Sequence, residues 1–431
     1  MIYEPEFESL PRERLCALQL DRLRALVERV KQRVPLYRSR LVDAEPEDLG
    51  SLDDLRYLPF TGKDDLRDTY PLGMLAVPRE ELARIHASSG TTGKPTVVAY
   101  TAPDLELFAR MNARALAMGG AEPGMMLHNA YGYGLFTGGL GLHDGGERLG
   151  MTVVPVSGGM TERQLTLVQD LRPDVIACTP SYALTLAAAF AERGIGPEEI
   201  SLRYALVGAE PWTESMRREI DDGLGVRCTN IYGLSEIIGP GVSSECVAER
   251  SGSHVNEDHF LPEIVDPESG EPVAEGEEGV LVFTTLTKQA LPLVRYWTGD
   301  ICSLTYAPCS CGRTLARMGQ ILGRSDDMLI IRGINVYPSQ VGAVLGGVPE
   351  LSPHFGLVVR RSGTLDEVEV LAEPRADVLL ALTDERAREL AERTASLIRD
   401  TIGCTMLVTL VGAGEAPRSE GGKLQRVRDL R

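Results

Sequence analysis

The 431-residue sequence is short of positive charge: 44 Lys and Arg stand against 62 Asp and Glu, a formal net charge of −18. Nucleic acids and anionic membrane surfaces are bound through a basic face, so this balance speaks against both as partners. An anionic small molecule is still admissible if a few cations are focused in one cleft. The sequence lacks the run of about 18 or more apolar residues that a membrane-crossing helix needs. The N-terminal MIYEPEFESL lacks the basic-then-apolar order of a leader peptide. Together these absences point to the cytoplasm. Cysteine is sparse, and its eight positions (Cys16, Cys178, Cys228, Cys246, Cys302, Cys309, Cys311, Cys404) are unevenly spaced, which suits thiols or a metal site and not a disulfide framework. Aromatic residues are only 5% of the chain, so any local group of them stands out. There is no internal repeat and no low-complexity segment. No G-x-G-x-x-G follows a strand, since GYGLFT at 132–137 fails at its last position, and a dinucleotide oxidoreductase is not indicated.

What is present is globular, with 43% hydrophobic and 25% charged residues and length enough for two or three domains. Leu15, Leu18, Leu23, Leu26, Val27 and Val30 fall at helical spacing within 10–34, with Ser9 and Pro11 as start signals. From about residue 150, apolar runs at 152–156, 174–178, 204–207 and 227–231 alternate with helical stretches at 161–172, 181–194 and 213–223. Such alternation predicts βαβ crossovers and a doubly wound, mostly parallel sheet, in an α/β domain whose ligands sit beyond the carboxyl ends of the strands. The last hundred residues read as βαββα in outline. The boundary falls near Asp326, giving a large domain over 1–325 and a small α+β domain over 326–431.

The segment SSGTTGKP, Ser88 to Pro95, cannot pack a core. Ser88, Ser89, Thr91 and Thr92 offer hydroxyls, Gly90 and Gly93 let the backbone approach closely, and Lys94 adds a mobile charge; a phosphate chain suits them all. It is not a Walker loop, because Ser88 and Pro95 hold the places of the required Gly and Ser/Thr. GAEPW (208–212) and YGLSE (232–236) follow two of the apolar runs, where the sheet rule puts a ligand. There Glu236 has the chemistry to ligate Mg²⁺ and Tyr232 to stack on a base. Asp300 closes RYWTGD, and Lys423 lies in a glycine-rich basic tail.

In this order and at these separations, SSGTTGKP, YGLSE, TGD, GRSDD and the terminal GGK resemble the adenylate-forming superfamily. YGYGLFTGGLG (131–141), GAEPW, EDHFLPEIVDPESGEPV (257–273) and GRSDDMLIIRGINVYPSQV (323–341) are similar, more narrowly, to phenylacetate–CoA ligases and close aryl-acid relatives. The likeness covers nearly the whole chain. Two departures are Gly342, where the family has an acid after PSQV, and the doubled glycine before Lys423. The resemblance implies two steps: a carboxylate attacks the α-phosphate of ATP and expels pyrophosphate, then the CoA thiol displaces AMP. It assigns the loop Ser88–Lys94 to the β- and γ-phosphates, Ala209, Glu210 and Pro211 with Tyr232 to adenine, and Asp300 and Arg324 to ribose. Ser235 goes to the α-phosphate, Glu236 to Mg²⁺, and Lys423 to the bridge between carboxylate and α-phosphate. Tyr131, Phe136, Ile231 and Pro240 match the aryl pocket, and Asp326 the hinge about which the small domain turns.

The same likeness implies a structural zinc held by Cys246, His254, Cys309 and Cys311, a Cys₃His set. The other reading of those four is unligated thiols and an imidazole, and Cys302 is a possible substitute ligand. Two further readings stay open: transfer of the acyl group to a carrier-protein thiol or another nucleophile, and a non-catalytic binding protein on this scaffold. The latter is opposed by the presence of Lys423, Glu236 and Asp300. A homodimer is an open possibility.

Overall fold

The computed structural model describes residues 1–87, 95–325, 329–331, 334–362, 365–418 and 426–430. Four strands of its largest sheet fall on the apolar runs, and a fifth parallel strand, Met126–Asn129, lies outside them. Strands Met126–Asn129, Thr152–Val154, Val175–Cys178, Tyr204–Gly208 and Arg227–Leu234 are all paired in parallel. All four residues of Val175–Cys178 are buried, as a strand covered on both faces requires. Alternation divides that strand between two cores. Ile176 and Cys178 pack with Leu165, Leu186, Phe190 and Ile220, while Val175 and Ala177 pack with Leu116, Leu127, Leu142 and Ile231. The crossover helices Thr161–Leu171, Pro180–Glu192 and Glu214–Leu224 lie close to their expected bounds. Thr179 and Thr213 cap two of them by accepting the N–H of Tyr182 and Met216.

Past Leu234 the sheet changes character. Gly239–Glu245, Ser253–Val255, Arg317–Met318 and Leu304–Thr305 extend it with antiparallel pairing to nine strands. A second sheet of four antiparallel strands, Phe260–Val265, Gly279–Thr285, Tyr296–Cys302 and Gly323–Arg324, packs through Phe260, Leu281 and Phe283 into one core with the first long helix. That helix, Arg12–Arg33, starts one residue after Pro11, whereas Ser9 ends a short helix over Pro5–Glu8 and caps nothing downstream.

From Leu329 onward the chain has its own core, with Val341, Phe355, Leu357, Val370, Leu390, Ile398 and Val408 and no member from the preceding residues. The expected βαββα outline gains strands. A hairpin of Leu329–Ile331 and Ile334–Val336 precedes helix Pro338–Gly346. Leu407–Leu410 and Val427–Asp429 flank the pair Leu351–Ser362 and Leu365–Pro374 in parallel. The two units touch where helix Pro338–Gly346 lies against Glu214–Leu224 and Arg375 Nη1 approaches Glu219 at 3.8 Å. No helix among the described residues is long and apolar enough to cross a membrane.

Candidate active site

A cleft of about 190 Å³ opens beyond the carboxyl ends of the parallel strands. The four residues expected of an aryl pocket, Tyr131, Phe136, Ile231 and Pro240, all line it, together with Ala209, Ser235 and Glu236. Two backbone approaches shape it. A Cβ on Gly208 would sit 2.0 Å from the Ile231 carbonyl oxygen, and one on Gly233 would sit 1.8 Å from that of Gly239, so only glycine permits either crossing. Ala209 follows in the left-handed region, at φ 73°, and turns the chain outward. Tyr131 is buried while Phe136 is 44% exposed, their ring centroids 6.5 Å apart.

Asp300 lies at one corner of the nucleotide-side residues. Its two oxygens accept from Tyr232 Oη at 2.6 Å and Arg324 Nη1 at 2.8 Å, and its strand register sets it opposite Arg324. Burial, and then the Asp300 charge, push the Tyr232 phenol well above its ordinary range. The Tyr232 ring, expected to face a base, is also tilted against Phe283 with centroids 6.5 Å apart. Glu210, expected beside adenine, has its carboxylate committed elsewhere. Oε1 accepts from Ser181 N at 2.8 Å and Ser181 Oγ at 2.5 Å, at the start of helix Pro180–Glu192. A helix N-terminus has unsatisfied N–H groups and a positive dipole end, and a carboxylate meets both. What the segment 209–211 turns to the cleft is the Ala209 wall.

Ser235 Oγ is 3.4 Å from Thr137 Oγ1, and Glu236 is 9% exposed. Beneath Glu236 lies a residue the sequence reading did not single out. Lys288 is 1% exposed, and its Nζ donates to the Glu236 carbonyl at 2.9 Å. Burial pulls its ammonium down to about 8. The one signal for it in the sequence is a lone cation inside the apolar stretch TLTKQALPL.

Ser88 to Lys94, Asp326 and Lys423 lie outside the described residues. The stems of the Ser88–Lys94 segment are described: Leu82–Ala87 and Val97–Thr101 pair antiparallel. Ala87 N and His86 Nδ1 both reach the Leu135 carbonyl, at 3.0 and 3.1 Å, tying the hairpin to the aromatic segment of the cleft wall.

Away from the cleft, the ligand atoms of Cys246, His254, Cys309 and Cys311 all lie within 4.8 Å of one another. Cys246 Sγ is 3.6 Å from Cys309 Sγ, and Cys311 Sγ is 3.4 Å from His254 Nε2. A tetrahedral ion with metal–sulfur bonds of about 2.3 Å needs sulfur separations of about 3.8 Å, so the set fits one ion. Cys302 is not among the four; it is buried in the core with Phe283. A wider hollow of about 360 Å³ beside Cys309 is lined by Arg12 and Arg313, but those cations are already paired with Glu257 and Glu8.

Residues 17–286 match the AMP-binding enzyme family, and residues 333–431 match the AMP-binding enzyme C-terminal domain. The chain is 64% identical to a phenylacetate-coenzyme A ligase of Thermus thermophilus over the full length of both, and 49% identical to one of Escherichia coli over 98% of this chain and 97% of that one. Among solved structures, 2-hydroxyisobutyryl-CoA ligase in its postadenylation state with 2-HIB-AMP superposes with a TM-score of 0.92 at 27% identity, covering 99% of this chain and 92% of that one. The same ligase with 2-HIB-AMP and CoA in its thioesterification state gives 0.73 at 28% identity, covering 99% and 91%. The two units here are arranged more like those of the first of these two structures than of the second. With both halves matched in order and full-length relatives at this identity, the chain belongs to the adenylate-forming AMP-binding enzymes, in the phenylacetate–CoA ligase family.

Proposed function

We propose that the chain activates phenylacetate with ATP to phenylacetyl-adenylate, releasing pyrophosphate, and passes the acyl group to CoA, releasing AMP. The observation that carries this reading is 64% identity, over the full length of both chains, to a phenylacetate-coenzyme A ligase. The ring-lined cleft supports it, since an apolar slot walled by Tyr131, Phe136, Ile231 and Pro240 suits a flat aryl group.

In this reading a carboxylate oxygen attacks the α-phosphorus and the bridging oxygen leaves with pyrophosphate. The step gathers anions, so donors and cations must be fixed before charge moves. The Ser88–Lys94 loop holds the β- and γ-phosphates, Ser235 donates to the α-phosphate, and Lys423 spans it and the carboxylate. Asp300 receives the ribose hydroxyls. A carboxylate suits two donor hydroxyls. Ala209, Glu210 and Pro211 border adenine through their backbone. Glu236 would hold magnesium, which would supply charge neutralisation on the phosphates. Zinc on Cys246, His254, Cys309 and Cys311 is a closed four-ligand site that cross-links strands and takes no part in the chemistry. The separate core from Leu329 onward supports division at 325/326.

The test is ATP–pyrophosphate exchange across a panel of aryl acids, followed by thioester analysis with and without CoA. Exchange greatest with phenylacetate and CoA-dependent phenylacetyl-CoA are expected. Faster turnover of a medium-chain fatty acid, or adenylate that CoA does not discharge, would contradict the reading.

A further inference from the structure

Lys288 is an ammonium with almost no solvent, 1% exposed, in the connection between strands Gly279–Thr285 and Tyr296–Cys302. A buried charge carries a large desolvation cost, and a neutral side chain would fill the space without it. Its surroundings show what the charge is set against. Nζ donates to the Glu236 carbonyl at 2.9 Å and sits 5.2 Å from the centroid of the Tyr100 ring. The Tyr100 hydroxyl in turn donates to the Ile238 carbonyl at 3.0 Å. Two buried donors thus grip alternate carbonyls of one turn, which closes on itself through Ile237 N and Ile238 N to the Leu234 carbonyl, both at 3.1 Å. Ser235 and Glu236, both lining the cleft, are carried on that turn.

The grip is anchored from behind. Asp104, buried in the first turn of helix Ala102–Met118, accepts Gln289 N at 2.6 Å and Ala290 N at 2.8 Å. His259 Nδ1 meets Thr287 Oγ1 at 2.7 Å on the other side of Lys288. Tyr100 belongs to strand Val97–Thr101, which pairs with Leu82–Ala87, so one clamp relates the turn and that strand pair.

We propose that Lys288 is a positioning residue for adenylation, its buried ammonium holding the Leu234–Ile238 turn so that Ser235 and Glu236 face the cleft. The proposal rests on the adenylation reading above and adds a residue that touches neither substrate nor nucleotide.

Lys288→Met keeps the chain length and removes charge and donor. Two measurements follow: amide hydrogen exchange over 234–238, and pyrophosphate exchange with phenylacetate. Expected are amide exchange at least about threefold faster at 234–238 than in the wild type, with distant core strands unchanged. The turnover number for pyrophosphate exchange falls about tenfold or more, while the KM for phenylacetate holds within about twofold. A loss of general stability would move the distant strands too. Lys288→Gln removes the charge with a smaller loss of polarity and decides the matter if Lys288→Met does not fold; it accelerates amide exchange over the same turn. Unchanged protection of 234–238 in whichever variant is folded overturns the proposal. A wild type inactive toward phenylacetate overturns the functional reading instead, because the amide measurement judges the clamp alone.

Discussion

Asp300 is a buried carboxylate shared between a phenol and a guanidinium. In the proposed nucleotide role, removing the carboxylate takes away the ribose acceptors and leaves Arg324 without that partner. Hydrogen bonds to a charged group are worth about 1.5–3 kcal/mol each, so Asp300→Ala should lower kcat/KM for ATP on the order of 10²-fold. Steady-state kinetics in ATP check this, and a change below about threefold would remove Asp300 from the site. A second residue sets acid sensitivity. His259 is buried and its imidazolium is disfavoured, first by burial, down to about 3. Its folded value lies below the unfolded value of about 6.5, so below pH 6.5 the unfolded chain takes up a proton that the fold refuses. Stability is thus lost between pH 6.5 and about 3, by roughly 2 kcal/mol at pH 5 from this group, and nothing is lost above pH 6.5. His354, lowered to about 4 chiefly by burial, acts with the same sign. Melting temperature should fall from pH 7 to 5, and His259→Asn should flatten that slope; parallel slopes for variant and wild type would refute the assignment. At this scale the sequence showed residues that follow strand ends, such as Glu236. It did not show Glu210 turning to Ser181, or Lys288 beneath Glu236, because both partnerships join segments far apart in the chain.

Among the elements, the parallel strands were legible because their burial on both faces writes continuous apolar runs such as Val175–Cys178. The antiparallel extension was not. Gly239–Glu245, read as GPGVSSE, carries no apolar period, and its place is set by pairing with Arg227–Leu234 and Ser253–Val255. The Cys/His cluster stands on this extension: Cys246 directly follows Gly239–Glu245, His254 lies on Ser253–Val255, and Cys309 and Cys311 lie between Leu304–Thr305 and Arg317–Met318. An ion there would fasten these strands to one another in addition to their backbone pairing. Protein prepared without chelator should hold about one zinc per chain. Cys309→Ser should lower the melting temperature by several degrees, with pyrophosphate exchange at low temperature kept within about threefold. Elemental analysis finding no zinc would end this claim.

For the whole molecule, the residues from Leu329 onward keep a core of their own, and the two units are arranged more like one solved state of 2-hydroxyisobutyryl-CoA ligase than another. In the proposed mechanism Lys423 serves adenylation and gives way to the thiol, which would require the unit carrying it to turn, with the dihedral change gathered at a few boundary residues. Asp326→Pro fixes φ near −65° at the proposed pivot. It should keep adenylation and lose most thioester formation; equal loss in both half-reactions, in a folded variant, would move the pivot elsewhere. The two-domain order was readable from GRSDD and the change in pattern beyond it, whereas which position the units adopt was not, since one sequence must allow several. Adenylation by this route bonds a carboxylate oxygen to the α-phosphorus, and that atom can be followed. Phenylacetate labelled with oxygen-18 in both carboxylate positions is turned over with ATP and CoA, and the products are weighed by mass spectrometry. The account predicts one heavy oxygen in AMP and one in the thioester carbonyl, with none in pyrophosphate; heavy oxygen in phosphate or pyrophosphate, with ADP or unlabelled AMP, would contradict it.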